Sequence, residues 1–425
     1  MGRKCFVAIV IGLVVLSTFS ISAAQKTVRI GALWPLSGSA SREGQEAKAA
    51  IEVAADIINR KTDLKGIPLA GTGGLPNLGG AKIEIVWADT QGKPEVGRAE
   101  TERLITAEKV VAMTGAYLSA VVLAATPVSD RYGIPFLVAD ATNPDICKKG
   151  LKTVFRTTPT NTAYVKDTQD MIDGFQKKFG TNYRRIVISH DPSFQGVDYA
   201  RAGKEMAEER GYQVVGVIAT QDPATDVTPD VLKIKALQPD LVILHHYSAN
   251  AILLQKAFGK YKLDVKAMIT YSNSYNLADF LNGAGREADY LFTPGTFPPR
   301  IIGTQTKIQQ VNEMFKKRSG LDRMSDVAAR DIQALLVLAD AINRARSTDP
   351  KAIVKALSET NLSQDQVIMP WKGVKFDANG ENVLASIVMQ QIQKGQYEIV
   401  WPAQMATAQP VWPAPTWDER LKKEK

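Results

Sequence analysis

VVAMTGAYLSAVVLAATPVSDRYGIPFLVAD, residues 110–140, contains one complete repeat of the architecture. An apolar run ends at Thr114 and Gly115, a short loop presents Ser119, and apolar residues at helical spacing continue to Ser129. RYG then turns the chain into a second apolar run, IPFLVAD. Strand, loop, helix and strand in that order imply two parallel strands joined by a right-handed crossover. The rhythm extends upstream: TVRIGALWPLSG (27–38) leads to a helix over 43–60, then KIEIVWADT (82–90) to a helix over 94–108. AGTGGLPNLGG, within 69–80, has the glycine and proline density of a surface excursion. In such a sheet, ligands gather beyond the carboxyl ends of the strands, so the loops WPLSGSAS, ADTQG, TGAYLS and ADATNPD are expected on one edge.

The alternation restarts after KTVFRTTPT. A helix over 161–179, the strand RRIVISHD, the helix FQGVDYARAGKEMAEERG and the strands YQVVGVIA, DLVILHH and VKAMIT predict a second parallel sheet. DYLFTPGTF reads as a crossing strand, 306–320 and 325–347 as long helices, and VIMPWKGVKFDANGE through YEIVWP as antiparallel strand material. The expected fold class is therefore α/β, with two Rossmann-like lobes built on parallel central sheets. The first lobe takes 25–158 and 294–369, the second 159–293 and 370–402, and 403–425 forms a surface tail. More than one crossing makes a hinge with a cleft between two rows of strand ends. No fixed-period repeat marks a solenoid.

Length and composition agree with two globular lobes: 425 residues, 45% of them hydrophobic. Residues 1–24 stand apart as a signal peptide: MGRKC is basic, FVAIVIGLVVLSTF is apolar, and SISAA is suited to cleavage after Ala24. Export to the periplasm follows. Cys5 leaves with the peptide, so Cys147 is alone and closes no internal disulfide. The formal charge of +8 includes Arg3 and Lys4, and basic residues alternate with acids along the helices, which argues against a nucleic-acid stripe.

No chemical machinery is written into the loops. Ser119 lacks the flanking glycines of a nucleophile elbow, having Leu118 and Ala120 as neighbours, and neither phosphate-loop pattern follows a strand. At a helix start its hydroxyl either caps the backbone or meets an anionic ligand. Thr142 repeats that placement one strand later, with Asp140 or the carbonyl of Ala141 able to accept from a cationic group. Asp89, Thr90 and Ser37 to Ser41 are weaker candidates, and Arg42 pairs either with an acidic ligand or with Glu46. His245 and His246 are adjacent in a strand, so they face opposite ways and do not share a metal ion without a bulge. The histidines are expected as hydrogen-bonding groups on the second lobe's side of the cleft. Trp34, Tyr117, Tyr164, Phe194, Tyr247 and Tyr271 fall at strand ends or loops, as expected for a small-molecule pocket. No metal and no cofactor is called for.

IGALWPLSG, TGAYLS with RYGIPFLVADATNPD, VFRTTPTN, RRIVISHDPSFQG, YLFTPG and GVKFDANGE, in that order, resemble the periplasmic leucine/isoleucine/valine-binding proteins of ABC importers. The resemblance implies a type I periplasmic-binding fold with three crossovers. It also implies capture of a small hydrophobic or branched-chain amino acid by domain closure, delivery to an inner-membrane permease, a monomeric state and no catalysis. It places Ser119, Thr142 and the backbone of Asp140 and Ala141 around the ligand's charged ends. The chain departs from the family at Gln195, with Phe194 beside it, where a tyrosine is expected. It departs again near Ser272, where an acid usually meets the ligand ammonium, and at Glu43, where an aromatic is usual. Asp140, Asp222 or Asp226 would have to replace that acid. Otherwise the ligand is a carboxylate without an amine, such as an aromatic acid. A ligand sensor or a cleft hydrolase or lyase are the competing classes.

Overall fold

The structure is a computed structural model that describes residue 2 and residues 27–422 apart from 39 and 149. Apart from residue 2, the expected signal peptide, with its cleavage point and Cys5, lies outside the described residues. Among these, no helix is long and apolar enough to cross a membrane.

Strands β1 (Thr27–Trp34), β2 (Lys82–Asp89), β3 (Ala112–Gly115), β4 (Phe136–Val138) and β5 (Val154–Arg156) form an all-parallel sheet in the order β2-β1-β3-β4-β5. Helices α1 (Ser41–Asn59), α2 (Pro94–Thr106), α3 (Ser119–Arg131) and α4 (Asp145–Lys148) make the connections. β3 and β4 are buried along their whole length, as parallel strands covered on both faces must be. β5 comes from VFR, which the sequence pattern reads only as connecting chain; three residues are too few to show a period.

The second sheet uses β6 (Arg185–His190), β7 (Gln213–Ala219), β8 (Leu241–His245), β9 (Ala267–Thr270) and β10 (Phe292–Gly295), linked by α5 (Asn161–Phe179), α6 (Phe194–Glu209), α7 (Thr228–Ala236), α8 (Ser248–Lys260) and α9 (Ala278–Ala284). α10 (Thr306–Ser319), α11 (Asp326–Ala345) and α12 (Pro350–Ser358) follow, then β11 (Asn361–Ser363) and β12 (Gly373–Lys375) as a small ribbon. β13 (Val388–Gln393) and β14 (Gln396–Trp401) return to the second sheet antiparallel, giving β14-β13-β10-β9-β8-β6-β7.

Residues of α10, α11 and α12 join the first lobe's core, where Ile332, Leu335 and Leu338 pack with Ile51, Ala54 and Ile58 of α1. Every residue of α11 from Asp326 to Ile342 is buried, so this helix forms a spine rather than a surface cover. The chain passes between the lobes three times, at 157–160, after Gly295 and before Val388. The last passage lies beyond the expected boundary at 370. Trp371, Val374 and Phe376 remain in the first lobe's core, and Arg156 forms an ion pair with Glu381. The tail also departs from a surface course: Trp412 packs against Phe175 and Phe292 at ring distances of 5.7 and 6.0 Å. Trp417 is buried in the second lobe as well. Burial of large indole rings outweighs the polar composition around them.

Candidate functional site

The parallel register brings the carboxyl ends of β3, β4, β6, β8 and β9 to the facing edges of the two lobes. Between them lies a cavity of about 360 Å3 of atom-free space, its mouth included. Tyr117, Asp140, Thr142 and Arg330 form its first-lobe wall, and Gln195, Tyr199, His245, Tyr247, Tyr271, Ser272 and Asn273 its second-lobe wall.

The turn into the β3 loop depends on Gly115, whose φ is +139° and whose added Cβ would stand 2.3 Å from the Leu33 carbonyl oxygen. This glycine lets the chain cross β1 closely before α3 begins. Ser119 is the first residue of α3, is 2% exposed, and accepts from the Asn143 amide at 3.4 Å. It therefore stands behind the β4 loop rather than in the cavity wall. Ala141 is buried in that loop, its carbonyl accepting from Arg156 at 3.1 Å. Thr142 faces the opposite lobe: its hydroxyl accepts from Gln195 Nε2 at 2.9 Å and from Tyr199 O–H at 3.4 Å. Asn143 adds a second link across the cleft, donating to Asp198 at 3.0 Å.

Asp140 and Arg330 make the charged end. Arg330, on α11, lies 3.0 Å from Asp140 and 2.9 Å from Asp326. Its Nη1 also reaches the Asp140 carbonyl and the Thr158 hydroxyl, at 3.4 and 3.3 Å. The contact with the Asp140 carboxylate has ion-pair distance but not hydrogen-bond alignment, and both Asp140 oxygens are buried without an N–H or hydroxyl donor, their hydrogen-bonding neighbour being the Asp331 carboxyl. Asp331 lies next to Asp140. Burial, followed by the charge of Asp140, raises its carboxyl well above the ordinary range, and burial also raises Asp140. Neighbouring buried carboxyls disfavour each other's charged form.

On the second lobe His245 stacks on Tyr199, ring centroids 4.8 Å apart, and its Nδ1 lies 3.0 Å from Asp191. Burial pushes Asp191 up, but the His245 and Ser193 hydrogen bonds prevail and hold it at about 2. His246 points the other way, to Ser189 and Tyr275, each at 3.2 Å, and burial drives its pKa down to about 3. The opposite orientations of His245 and His246 follow from the strand period. Among the described residues no group of three or more His, Cys, Asp or Glu is placed to hold a metal ion.

Several expected positions fall elsewhere. Trp34 is fully buried in the first lobe's core against Trp87, 6.4 Å away edge-on, because the strand's last residue turns inward. Phe194 is 51% exposed and points to solvent. Tyr164 sits behind the wall, accepting from Asn273 Nδ2 at 3.3 Å. Arg42 is exposed and lines surface hollows with Glu46. Asp89 ties the loop after β1 to its own, accepting from the Leu36, Ser37 and Gln91 amides. Asp222 and Asp226 are exposed, whereas Glu43 is 6% exposed, its pKa raised by burial. Cys147 is a buried free thiol, pushed up to about 12 by burial. Tyr199, Asn273 and Arg330 escape sequence reasoning. The available signals are Tyr199's place one turn after Gln195, and an Arg-Asp pair inside the otherwise apolar VAARDIQALLVL.

A cleft of this construction, between lobes joined by three passages, has a counterpart among known families. The model of a family described as periplasmic binding protein matches residues 27–396. The chain belongs to that family. Relatives of this periplasmic binding protein include the Leu/Ile/Val-binding protein homolog 7 of Brucella abortus (strain 2308), 26% identical over 406 residues, which are 92% of this chain and 96% of the relative. Homolog 8 of Brucella suis biovar 1 is 25% identical over 93% of this chain and 95% of its own length. Two solved structures share the fold. The branched-chain amino acid transporter substrate-binding protein from Streptococcus pneumoniae, in complex with isoleucine, has a TM-score of 0.73 at 20% identity, covering 88% of this chain and 99% of its own. A solute-binding protein from R. palustris in complex with 4-hydroxybenzoate has a TM-score of 0.71 at 18% identity, covering 92% and 99%.

Proposed function

We propose that this chain is the exported receptor of an ABC importer, capturing a small amino acid between its lobes and presenting the closed form to a membrane permease. Thr142 and the loop in front of Ser119 take the ligand carboxylate, and Asp140 takes the ammonium. The observation that carries the assignment is the carboxyl cluster at Asp140. Asp140 lines the cavity with no aligned N–H or hydroxyl donor and has Asp331 as its carboxyl neighbour, while Arg330 is shared with Asp326. Three carboxyl groups, Asp140, Asp331 and Asp326, thus gather around a single guanidinium. A ligand ammonium supplies the missing positive charge, whereas a bare carboxylate would add an unpaired negative one at low dielectric. Asp140 thereby replaces the acid that is absent near Ser272. The printed names of the Brucella relatives and the isoleucine-bound neighbour support an amino acid.

A second reading, an aromatic carboxylate, draws on the tyrosine and histidine rings of the wall and on neighbours solved with 4-hydroxybenzoate and benzoate. Titration calorimetry of the ligand-stripped protein against amino acids and their des-amino counterparts separates the two. Asp140→Asn is expected to weaken amino-acid binding by about 100-fold, in the range for a hydrogen bond to a charged group lost from a buried site. Equal affinity of the variant, or binding of des-amino acids alone, overturns the assignment.

A further inference from the structure

Once the carboxylate and ammonium have been assigned to the first lobe, the second-lobe wall is left for the remainder of the solute, and the nature of that remainder rests on the same assignment. Among the described residues that line the cavity, none is aliphatic; the far wall is tyrosine rings with Gln195, His245, Ser272 and Asn273 between them. Ring faces accept aliphatic and aromatic groups alike, so the polar groups set between the rings are what discriminate among solutes.

Asn273 is the informative residue. Its Nδ2 donates to the Tyr164 hydroxyl at 3.3 Å, while its Oδ1 is buried with no partner. If the amide is turned over, the tyrosine hydroxyl donates to oxygen instead and the nitrogen is left over. In either orientation one polar atom remains unanswered in the cavity wall. Ser272 Oγ accepts from the Ser274 amide at 3.2 Å, which leaves its own proton to donate. Gln195 spends Nε2 on Thr142. Closing this wall over a methyl-bearing chain would strip these groups of water and return nothing.

We infer that the solute carries an uncharged hydrogen-bonding group, a hydroxyl or a carboxamide, at the end that meets Asn273 and Ser272, and that branched aliphatic chains are the poorer ligands.

Calorimetry on the ligand-stripped full-length mature protein tests this with two shape-matched pairs, threonine against valine and asparagine against leucine, and a third that differs by one added hydroxyl, 4-hydroxybenzoate against benzoate. In whichever pair binds, the polar member is expected to bind about tenfold more tightly or better, the factor that corresponds to one buried hydrogen bond left unmade. Asn273→Leu is expected to erase most of that ratio; because the ratio is measured within one protein, it is also readable in the wild type alone. Tighter binding of the apolar member overturns the inference. If the aromatic pair alone binds, the amino-acid assignment fails, and the polarity inference is judged on 4-hydroxybenzoate against benzoate. Binding of none of the six overturns both.

Discussion

Thr142→Val isolates the cross-cleft contact. The substitution keeps the β-branched shape and removes the hydroxyl that accepts from Gln195 at 2.9 Å and Tyr199 at 3.4 Å. The second contact is long for a hydroxyl donor, so Gln195 carries most of the effect. Both donors sit on the first turns of α6 in the second lobe and Thr142 sits in the first, so the loss falls on the closed form. Gln195 is half-buried and the lobes close over it when ligand is held; a donor so enclosed and deprived of its acceptor costs about 1–3 kcal/mol, and each 1.4 kcal/mol is a factor of about ten in an equilibrium constant. Ligand affinity is therefore expected to fall roughly 5- to 150-fold, and further where the ligand carboxylate uses the same hydroxyl. Calorimetry reads the affinity, and small-angle scattering with saturating ligand reads the fraction closed. A cycle with Gln195→Leu isolates the pair, with an expected coupling of about 1 kcal/mol. Unchanged affinity, or strictly additive single losses, would refute the idea that this bond helps hold the lobes together.

Two further predictions concern stability. His246 is held neutral by burial, with its pKa at about 3 against an ordinary 6.5. Unfolding therefore takes up a proton between those values. Its contribution is fully present above about pH 6.5 and is lost, by up to about 1.4 kcal/mol per pH unit, as pH falls toward 3. Urea unfolding from pH 7 to 3.5 should show this slope, and His246→Gln should flatten it; parallel slopes in the two proteins exclude His246 as its source. Gly115→Ala forces a side chain into a backbone at φ +139° and against the Leu33 carbonyl. We expect a loss of about 1–3 kcal/mol in urea unfolding together with weaker ligand binding, whereas a change within about 0.5 kcal/mol is what an ordinary surface site gives.

The sequence by itself determined the scaffold. Apolar runs such as IPFLVAD alternating with amphipathic helices leave two parallel sheets as the economical solution, and parallel topology dictates which loops share an edge. Thr142 and Tyr117 were legible as cleft residues for that reason, and Gln195 only through the family resemblance. Tertiary structure alone decided what those loops meet. Arg330 lies 190 residues after Asp140 in the chain and reaches it because α11 is buried along most of its length. Nothing local to Asp140 announces that partner. Likewise Trp34 and Phe194 share the strand-end and loop positions of Tyr117, yet one turns into the core and the other into solvent. Strand period and loop order fix where a residue stands. Whether its side chain meets core, water or cavity depends on packing against elements distant in sequence, and the carboxyl cluster around Arg330 at Asp140 appears only after that packing.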